Sequence, residues 1–193
     1  METIDFGPAT TAVAALVRGV RDDQLGEPTP CPAYTVADLL DHLRTLALAF
    51  TRSARKERLP GDGAPVVDGS QLPEEWRTEI AERLVALAEA WRDPAAYAGT
   101  TQAGPIEMPA EVAALVALDE VVVHGWDLAR ATGQPYDPDE RVVLASLAFA
   151  ESFEVPPDVP GGGPFGPPVP VAADAPALDR LLGATGRDPA RKP

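Results

Sequence analysis

Two histidines, His42 and His124, and one cysteine, Cys31, are all the imidazole and thiol chemistry available to this chain of 193 residues. Glu120 stands four residues before His124 in the run Asp119-Glu120-Val121-Val122-Val123-His124-Gly125-Trp126-Asp127. On a helix that spacing puts both side chains on one face, a turn apart. They fall in the series Val116, Glu120, His124, Asp127, Ala131, surrounded by aliphatic residues. A carboxylate on a mostly buried face is costly unless a cation or several donors satisfy it. His42 has Leu39 three residues before it and Leu46 four after it, so it borders an apolar stripe. Two imidazoles and one carboxylate meeting inside a helical protein form a zinc ligand set that leaves a position for water or substrate. Plainer readings stay open: Glu120 and His124 as an ion pair within one helix, and His42 as a boundary histidine capped by Asp38 or Asp41.

The neighbouring residues have two readings each. Cys31 precedes a helix start, where the positive dipole end lowers a thiol pKa; without a second cysteine or a sequence-near histidine it reads rather as a small packed residue in a turn. Asp127, one turn beyond His124, and Asp38, one turn before His42, either orient an imidazole or are solvated acids. Trp126 either walls the site or packs between helices. The acids Glu74, Glu75, Glu79, Glu82 and Glu89 read as a solvated helix face.

The elements that must position these groups are helices. Pro8 suits the first turn of a helix to about Val20, with Ala12, Leu16 and Val20 on one face. Thr35-Val36-Ala37-Asp38 has the form of a capping box, with Asp in place of Glu or Gln. Behind it Val36, Leu39, Leu40, Leu43, Leu46, Ala47 and Phe50 recur at spacings of three and four. A third helix runs from about Pro73 to Trp91. Pro109 opens a fourth, which runs to about Ala131 and is ended by Gly133 and Pro135. The fifth runs from about Asp137 to Ser152. Short strands are expected around Tyr97–Thr101 and Pro105–Met108, with Ala103-Gly104 as the turn. The connection from Thr51 to Leu72 is long for a helical bundle and suits a crossover between parallel helices.

Composition marks one boundary. Ten of the 22 prolines lie between Val155 and Pro193, and the charges of that segment cancel, so residues 1–154 carry the whole net charge of −14. The expected organisation is a helical unit over 1–154 and a Pro/Gly-rich segment over 155–193. In that segment Asp174 caps a short helix near 175–182, which Gly183 stops. Its apolar residues Phe165, Val169, Val171, Leu178, Leu181 and Leu182 predict that it lies along the helical unit.

Composition also excludes. With one cysteine no disulfide forms within the chain, and a Cys₄ or Cys₂His₂ zinc site is impossible. Thirty acidic residues against 16 basic ones argue against a nucleic-acid backbone or an anionic membrane as partner. No stretch approaches the ~20 apolar residues of a membrane span. Met-Glu-Thr-Ile-Asp-Phe lacks the basic and apolar regions of a signal peptide, so a cytoplasmic protein is expected.

Three blocks carry a resemblance. The first is Thr29-Pro30-Cys31-Pro32-Ala33-Tyr34-Thr35-Val36-Ala37-Asp38-Leu39-Leu40-Asp41-His42-Leu43, and the second runs from Glu120-Val121-Val122-Val123-His124-Gly125-Trp126-Asp127 to Gly133. The third is Phe165-Gly166-Pro167-Pro168-Val169-Pro170-Val171 through Leu178-Asp179-Arg180-Leu181-Leu182 to Gly186-Arg187-Asp188-Pro189. Together they resemble the DinB-like family typified by the N-terminal metal-binding domain of mycothiol-dependent maleylpyruvate isomerase, in its uncharacterised actinobacterial branch. The resemblance implies an all-α, DinB-like four-helix bundle with a long crossover connection, followed by the proline-rich segment. It implies a divalent metal, zinc or nickel, on one histidine of the second helix and the Glu-x-x-x-His pair of a later one. Those positions are His42, Glu120 and His124, the trio the spacing itself suggests. Tyr34 stands where the family has tryptophan, at a packing position. The isomerase also carries a separate C-terminal domain where this chain has only its proline-rich segment, a departure that weighs against maleylpyruvate itself as substrate.

The expected function is that of a metal-dependent thiol S-transferase or isomerase. An open metal position holds a small thiol, mycothiol by resemblance, as thiolate against an electrophilic substrate. The alternative is a non-catalytic metal-binding or interaction module of the same fold. A third reading is a non-haem iron oxygenase, whose facial set also has two histidines and one carboxylate; Glu-x-x-x-His on one helix is not its common arrangement. The C-terminal segment either closes over the site or builds a homodimer contact.

Overall fold

The computed structural model describes residues 3–57, 66–153 and 165–191. Helix α1, Gly7–Gly19, has Pro8 in its first turn, where the ring's fixed φ suits a helix and no N–H bond is lost. Its buried stripe is Ala9, Val13, Leu16, Val17 and, just past its end, Val20, with Ala12 only half-buried. Helix α2, Val36–Ala54, starts at the expected capping box. Thr35 Oγ1 accepts from the Asp38 N–H at 3.3 Å, and Asp38 Oδ2 accepts from the Thr35 N–H at 3.0 Å. Four N–H groups at a helix start lack partners within the helix, and this box satisfies two donors there.

Helix α3, Trp76–Ala90, begins three residues after Pro73, because the Pro73 carbonyl closes a turn with the Trp76 N–H before the helix is established. A hairpin follows, β1 Thr100–Ala103 and β2 Ile106–Pro109, antiparallel with Thr101 opposite Met108. The first strand therefore starts later than the sequence suggests. Pro94–Tyr97 forms a single 3₁₀ turn instead, its start capped by the Asp93 carboxylate on the Ala95 N–H. The turn itself is Gly104-Pro105, with Gly104 in the left-handed region at φ 58°.

Helix α4, Ala110–Thr132, is the longest described element, and Gly133 ends it in the left-handed conformation, φ 69°. Helix α5, Glu140–Glu151, is capped by Asp139 on the Arg141 N–H. Helix α6, Ala177–Ala184, departs from expectation at both ends: Pro176, not Asp174, occupies its cap position, and Gly183 lies inside it. Gly183 is there for closeness, since a Cβ would stand 2.5 Å from Val171 Cγ2 and 2.7 Å from the Val169 carbonyl oxygen. The helix ends at Gly186, φ 81°, with the Gly186 N–H bonded to Gly183 O and the Arg187 N–H to Leu182 O. That pair of bonds is the Schellman pattern of a glycine-terminated helix.

Helix α1 packs on α3 and α4, α2 packs on the same two, and α5 lies between α4 and α6. Leu39, Leu40, Leu43, Ile80, Leu84, Leu87 and Leu118 fill the shared interior, and Phe6 stacks on Trp91 with ring centroids 5.9 Å apart. Each such burial contributes ~1.5–3 kcal/mol relative to exposure. The compositional boundary near Val155 falls in 154–164, outside the described residues, and the expected crossover from Thr51 to Leu72 includes 58–65, also outside them. The described end of that connection is tied to α2. Asp38 Oδ1 accepts from the Gly69 N–H and Asp41 Oδ2 from the Asp68 N–H, both at 3.0 Å.

Candidate metal centre

Helices α2 and α4 bring His42, Glu120 and His124 together. His42 Nε2 lies 3.1 Å, and His124 Nε2 3.2 Å, from the same oxygen, Glu120 Oε2. Ligand atoms of the three residues lie within 4.8 Å of one another. The imidazole rings stand edge to face, 4.8 Å between centroids, and Tyr34 packs 5.2 Å from the His42 ring. The trio forms the floor of a cavity of about 460 Å³, walled by the Pro30–Tyr34 loop on one side and by the C-terminal segment on the other.

Local packing holds these side chains in place. Around the site every residue of α4 from Val121 to Ala129 is buried. Gly125, beside His124 in sequence, allows Tyr136 and α1 to approach α4 closely; a Cβ there would lie 2.7 Å from both Tyr136 Oη and Val13 Cγ2. The Tyr136 hydroxyl donates to Val122 O at 3.0 Å, and burial pushes its phenol pKa up. His124 is held from the other side as well, with Nδ1 2.9 Å from Asp127 Oδ2. A carboxylate there accepts a hydrogen bond from Nδ1–H and leaves Nε2 as the nitrogen facing Glu120 and His42.

The charges are strongly coupled. Burial opposes ionisation of Glu120, but hydrogen bonds with His124 and His42 outweigh it and hold the carboxyl well below its usual range. Burial likewise opposes a charge on His124, yet its bonds with Asp127 and Glu120 push its pKa up to about 9. Without a metal, the proton on Nε2 relieves what would otherwise be a lone pair facing a carboxylate. Two imidazole nitrogens and a carboxylate oxygen converging from two packed helices at a cavity floor are a donor set that fits a divalent ion.

The other residues singled out in the sequence divide. Asp127 contacts His124 and is an orienting partner. Asp38 and Asp41 do not cap His42: Asp38 serves the capping box and Gly69, and Asp41 binds Arg44 and Asp68. Trp126 is buried under the Arg130 guanidinium, as a packing residue. Cys31 lines the cavity, but burial and the nearby Asp127 carboxylate raise its thiol pKa, so it is a poor nucleophile. Glu74, Glu75, Glu82 and Glu89 are exposed as expected, whereas Glu79 is half-buried against Arg44 and Arg83.

Two residues near the trio were not singled out. Asp119 is buried with Oδ1 unpartnered among the described residues, and burial together with Glu120 pushes its pKa up to about 8. Arg187 reaches in from beyond α6 to Asp127 Oδ2 at 3.0 Å. A contact across 60 residues leaves no periodic trace; only the Gly-Arg-Asp-Pro run of the third block marked the place.

A family model described as the mycothiol maleylpyruvate isomerase N-terminal domain matches residues 6–129, well over half of the chain. The chain belongs to this family. Two uncharacterised proteins of Mycobacterium tuberculosis, from strains CDC 1551 / Oshkosh and ATCC 25618 / H37Rv, are each 31% identical to it over 179 residues, 93% of either chain. The crystal structure of the mycothiol-dependent maleylpyruvate isomerase superimposes with a TM-score of 0.56 at 22% identity, covering 74% of this chain. That establishes a shared fold, and the match spans 64% of the isomerase, less than two thirds of its length. His42, Glu120 and His124 all lie within the residues that the family model covers. Arg187 and the rest of the C-terminal cavity wall lie beyond them.

Proposed function

We propose that His42, Glu120 and His124 bind a divalent metal, zinc or alternatively nickel, and that the chain uses it to activate a mycothiol-type thiol for S-transfer or isomerisation. In this reading residues 1–154 are a DinB-like four-helix metal-binding bundle, and Gly166, Pro167, Thr185, Gly186 and Arg187 of the Pro/Gly-rich segment 155–193 line the site. The observation that carries the reading is the convergence of the three side chains on one point at the floor of a 460 Å³ cavity. A bound divalent ion supplies the Lewis acidity that keeps a thiol deprotonated well below its free pKa of ~8.5.

The chain's own residues complete the reading. Asp127 and Arg187 offset each other's charge. Glu120 is the one carboxylate among the three candidate ligands, so a divalent ion held there would keep a net positive charge, which favours an anionic ligand such as a thiolate. Burial and the Asp127 carboxylate raise the Cys31 thiol pKa, which favours an external thiol as the reacting group. The cavity, at about 460 Å³, has the volume of a small-molecule site.

The test is direct. Purified wild-type chain is expected to carry one metal per molecule by elemental analysis, and His124→Ala to lose it while keeping its helical circular dichroism. Cobalt-substituted wild type is expected to develop a sulfur-to-cobalt charge-transfer band on addition of mycothiol. Full metal content in His124→Ala would sink the site assignment. Metal without any thiol band, and without turnover of an electrophile, would leave the protein a binding module.

A further inference from the structure

We propose that Arg187, delivered by the glycine-ended α6, is a positioning residue for the His124 ligand, acting through Asp127. The proposal rests on the metal-centre reading above and adds to it a part of the chain that lies beyond residues 6–129, the span shared with the family model.

Asp127 is fully buried, and Arg187 is only 14% exposed. One oxygen of Asp127 does double duty. Oδ2 accepts from Arg187 Nη2 at 3.0 Å and faces His124 Nδ1 at 2.9 Å, while Oδ1 has no hydrogen-bond partner among the described residues. Arg187 and His124 are therefore the side chains that fix where this carboxylate points. An imidazole that ligates a metal is neutral, so the full positive charge facing Asp127 is then that of Arg187. A carboxylate buried with no cation costs several kcal/mol and turns to whatever donor it can find. Arg187 holds the carboxylate aimed at Nδ1–H, which keeps the ring with Nε2 toward Glu120 and His42.

The backbone shows that this guanidinium is placed and not loosely draped. Gly186 takes φ 81°, and a Cβ there would lie 3.0 Å from the Gly166 backbone, so a glycine at 186 lets the two stretches of the C-terminal segment close on each other. The turn that follows points Arg187 inward, and Nη1 donates to Thr185 O at 2.8 Å. Thr185 is itself anchored by its hydroxyl to Leu181 O at 3.0 Å. An unbroken series of contacts thus runs from the end of α6 through Arg187, Asp127 and His124 to Glu120.

The experiment uses the full chain loaded with zinc for affinity, by competition with a chromogenic chelator, and with cobalt for the ligand-field spectrum. Arg187→Gln keeps length and hydrogen-bonding capacity without charge. It is expected to weaken metal binding by about ten- to a hundredfold, the usual effect of losing an outer partner of a ligating histidine, and to shift the cobalt bands. Arg187→Lys restores the charge without the planar fork and should fall between Arg187→Gln and wild type. Because the effect passes through Asp127, the double variant Asp127→Asn/Arg187→Gln should bind no more weakly than Asp127→Asn alone. Arg180→Gln, which removes an exposed pair between α6 and Glu151, should leave affinity unchanged. Arg187→Gln with wild-type affinity and spectrum would overturn the role of Arg187, as would losses that simply add in the double variant, or a Lys variant as weak as the Gln one. If Arg187→Gln loses its helical signal, the Lys variant decides by the same two readouts. A wild-type chain that takes up no metal would refute the metal centre instead, so the two failures are distinguishable.

Discussion

Replacing Gly125 by alanine sets two known effects against each other in α4, next to His124. Helix propensity favours the change: a glycine inside a helix is less stable than alanine by ~0.8–1.0 kcal/mol. Packing opposes it. The new Cβ would sit 2.7 Å from Tyr136 Oη and 2.7 Å from Val13 Cγ2, and 3.0 Å from Tyr136 Cζ. None of these atoms can yield cheaply. The Tyr136 ring is half-buried with its hydroxyl bonded to Val122 O, and Val13 is fully buried in α1. Overpacking of a filled interior costs ~1–3 kcal/mol, and displacing the Tyr136 hydroxyl loses a hydrogen bond worth ~0.5–1.5 kcal/mol. Packing wins, for a net destabilisation of ~1–3 kcal/mol. For a chain of this size that lowers Tm by roughly 2–12 °C, at ~2–4 °C per kcal/mol. Urea denaturation followed by circular dichroism measures it. In a Tyr136→Phe background the oxygen contact is gone while the Val13 contact stays, so Gly125→Ala should cost less there than in wild type. A Gly125→Ala variant as stable as wild type, or more so, would show that propensity dominates and that α1 and Tyr136 are not closed on α4 as described.

Two further outcomes are expected. Thr35→Ala removes the reciprocal cap of α2 and should cost ~1 kcal/mol at neutral pH. The Thr35 hydroxyl, with the Gly69 and Thr35 N–H groups, holds the Asp38 carboxyl below its ordinary value. That stabilisation is present above the unfolded pKa of ~3.9 and is lost as pH falls through the lower folded value. Denaturation at pH 7 and pH 3 should therefore show the Thr35→Ala deficit shrinking in acid, and an equal deficit at both would contradict the capping box. Removing metal with a chelator should lower Tm, since an ion held at 100 times its Kd stabilises the fold by ~2.7 kcal/mol; calorimetry with and without chelator checks it, and an unchanged Tm would speak against an ion held at His42, Glu120 and His124.

The helices were legible where local chemistry and periodicity agree. Thr35 and Asp38 announce α2, and the stripe from Val36 to Phe50 continues it without interruption. The trio was legible for a similar reason, since a carboxylate and an imidazole four apart on an apolar face demand explanation. What local signals could not supply was the meaning of a glycine. Gly183 and Gly186 look alike in sequence, yet the first admits the Val169–Val171 segment to the side of α6 and only the second has the left-handed backbone that ends it. The start of β1 was displaced for a comparable reason. Pro94 with its Asp93 cap closes a 3₁₀ turn that absorbs Tyr97, a residue whose type suits a strand. Arg187 lay beyond any local rule, because its partner Asp127 is brought to it by the docking of α6 on α5 and of α5 on α4.

The two acids that flank His42 have a bearing on ion choice. Asp38 and Asp41 each place both oxygens on other groups: Asp38 on Thr35 and Gly69, Asp41 on Arg44 and Asp68. Neither is left to swing toward the imidazole. A cation arriving at His42 therefore meets two nitrogens and a single carboxylate, in spite of the chain's 30 acidic residues. Calcium takes about six to eight oxygen ligands, and magnesium an octahedral set of them. On the proposed metal-centre reading, the tethers that fasten the α2–α3 connection would also keep the pocket poor in oxygen donors for the hard ions and favour borderline transition metals that accept imidazole.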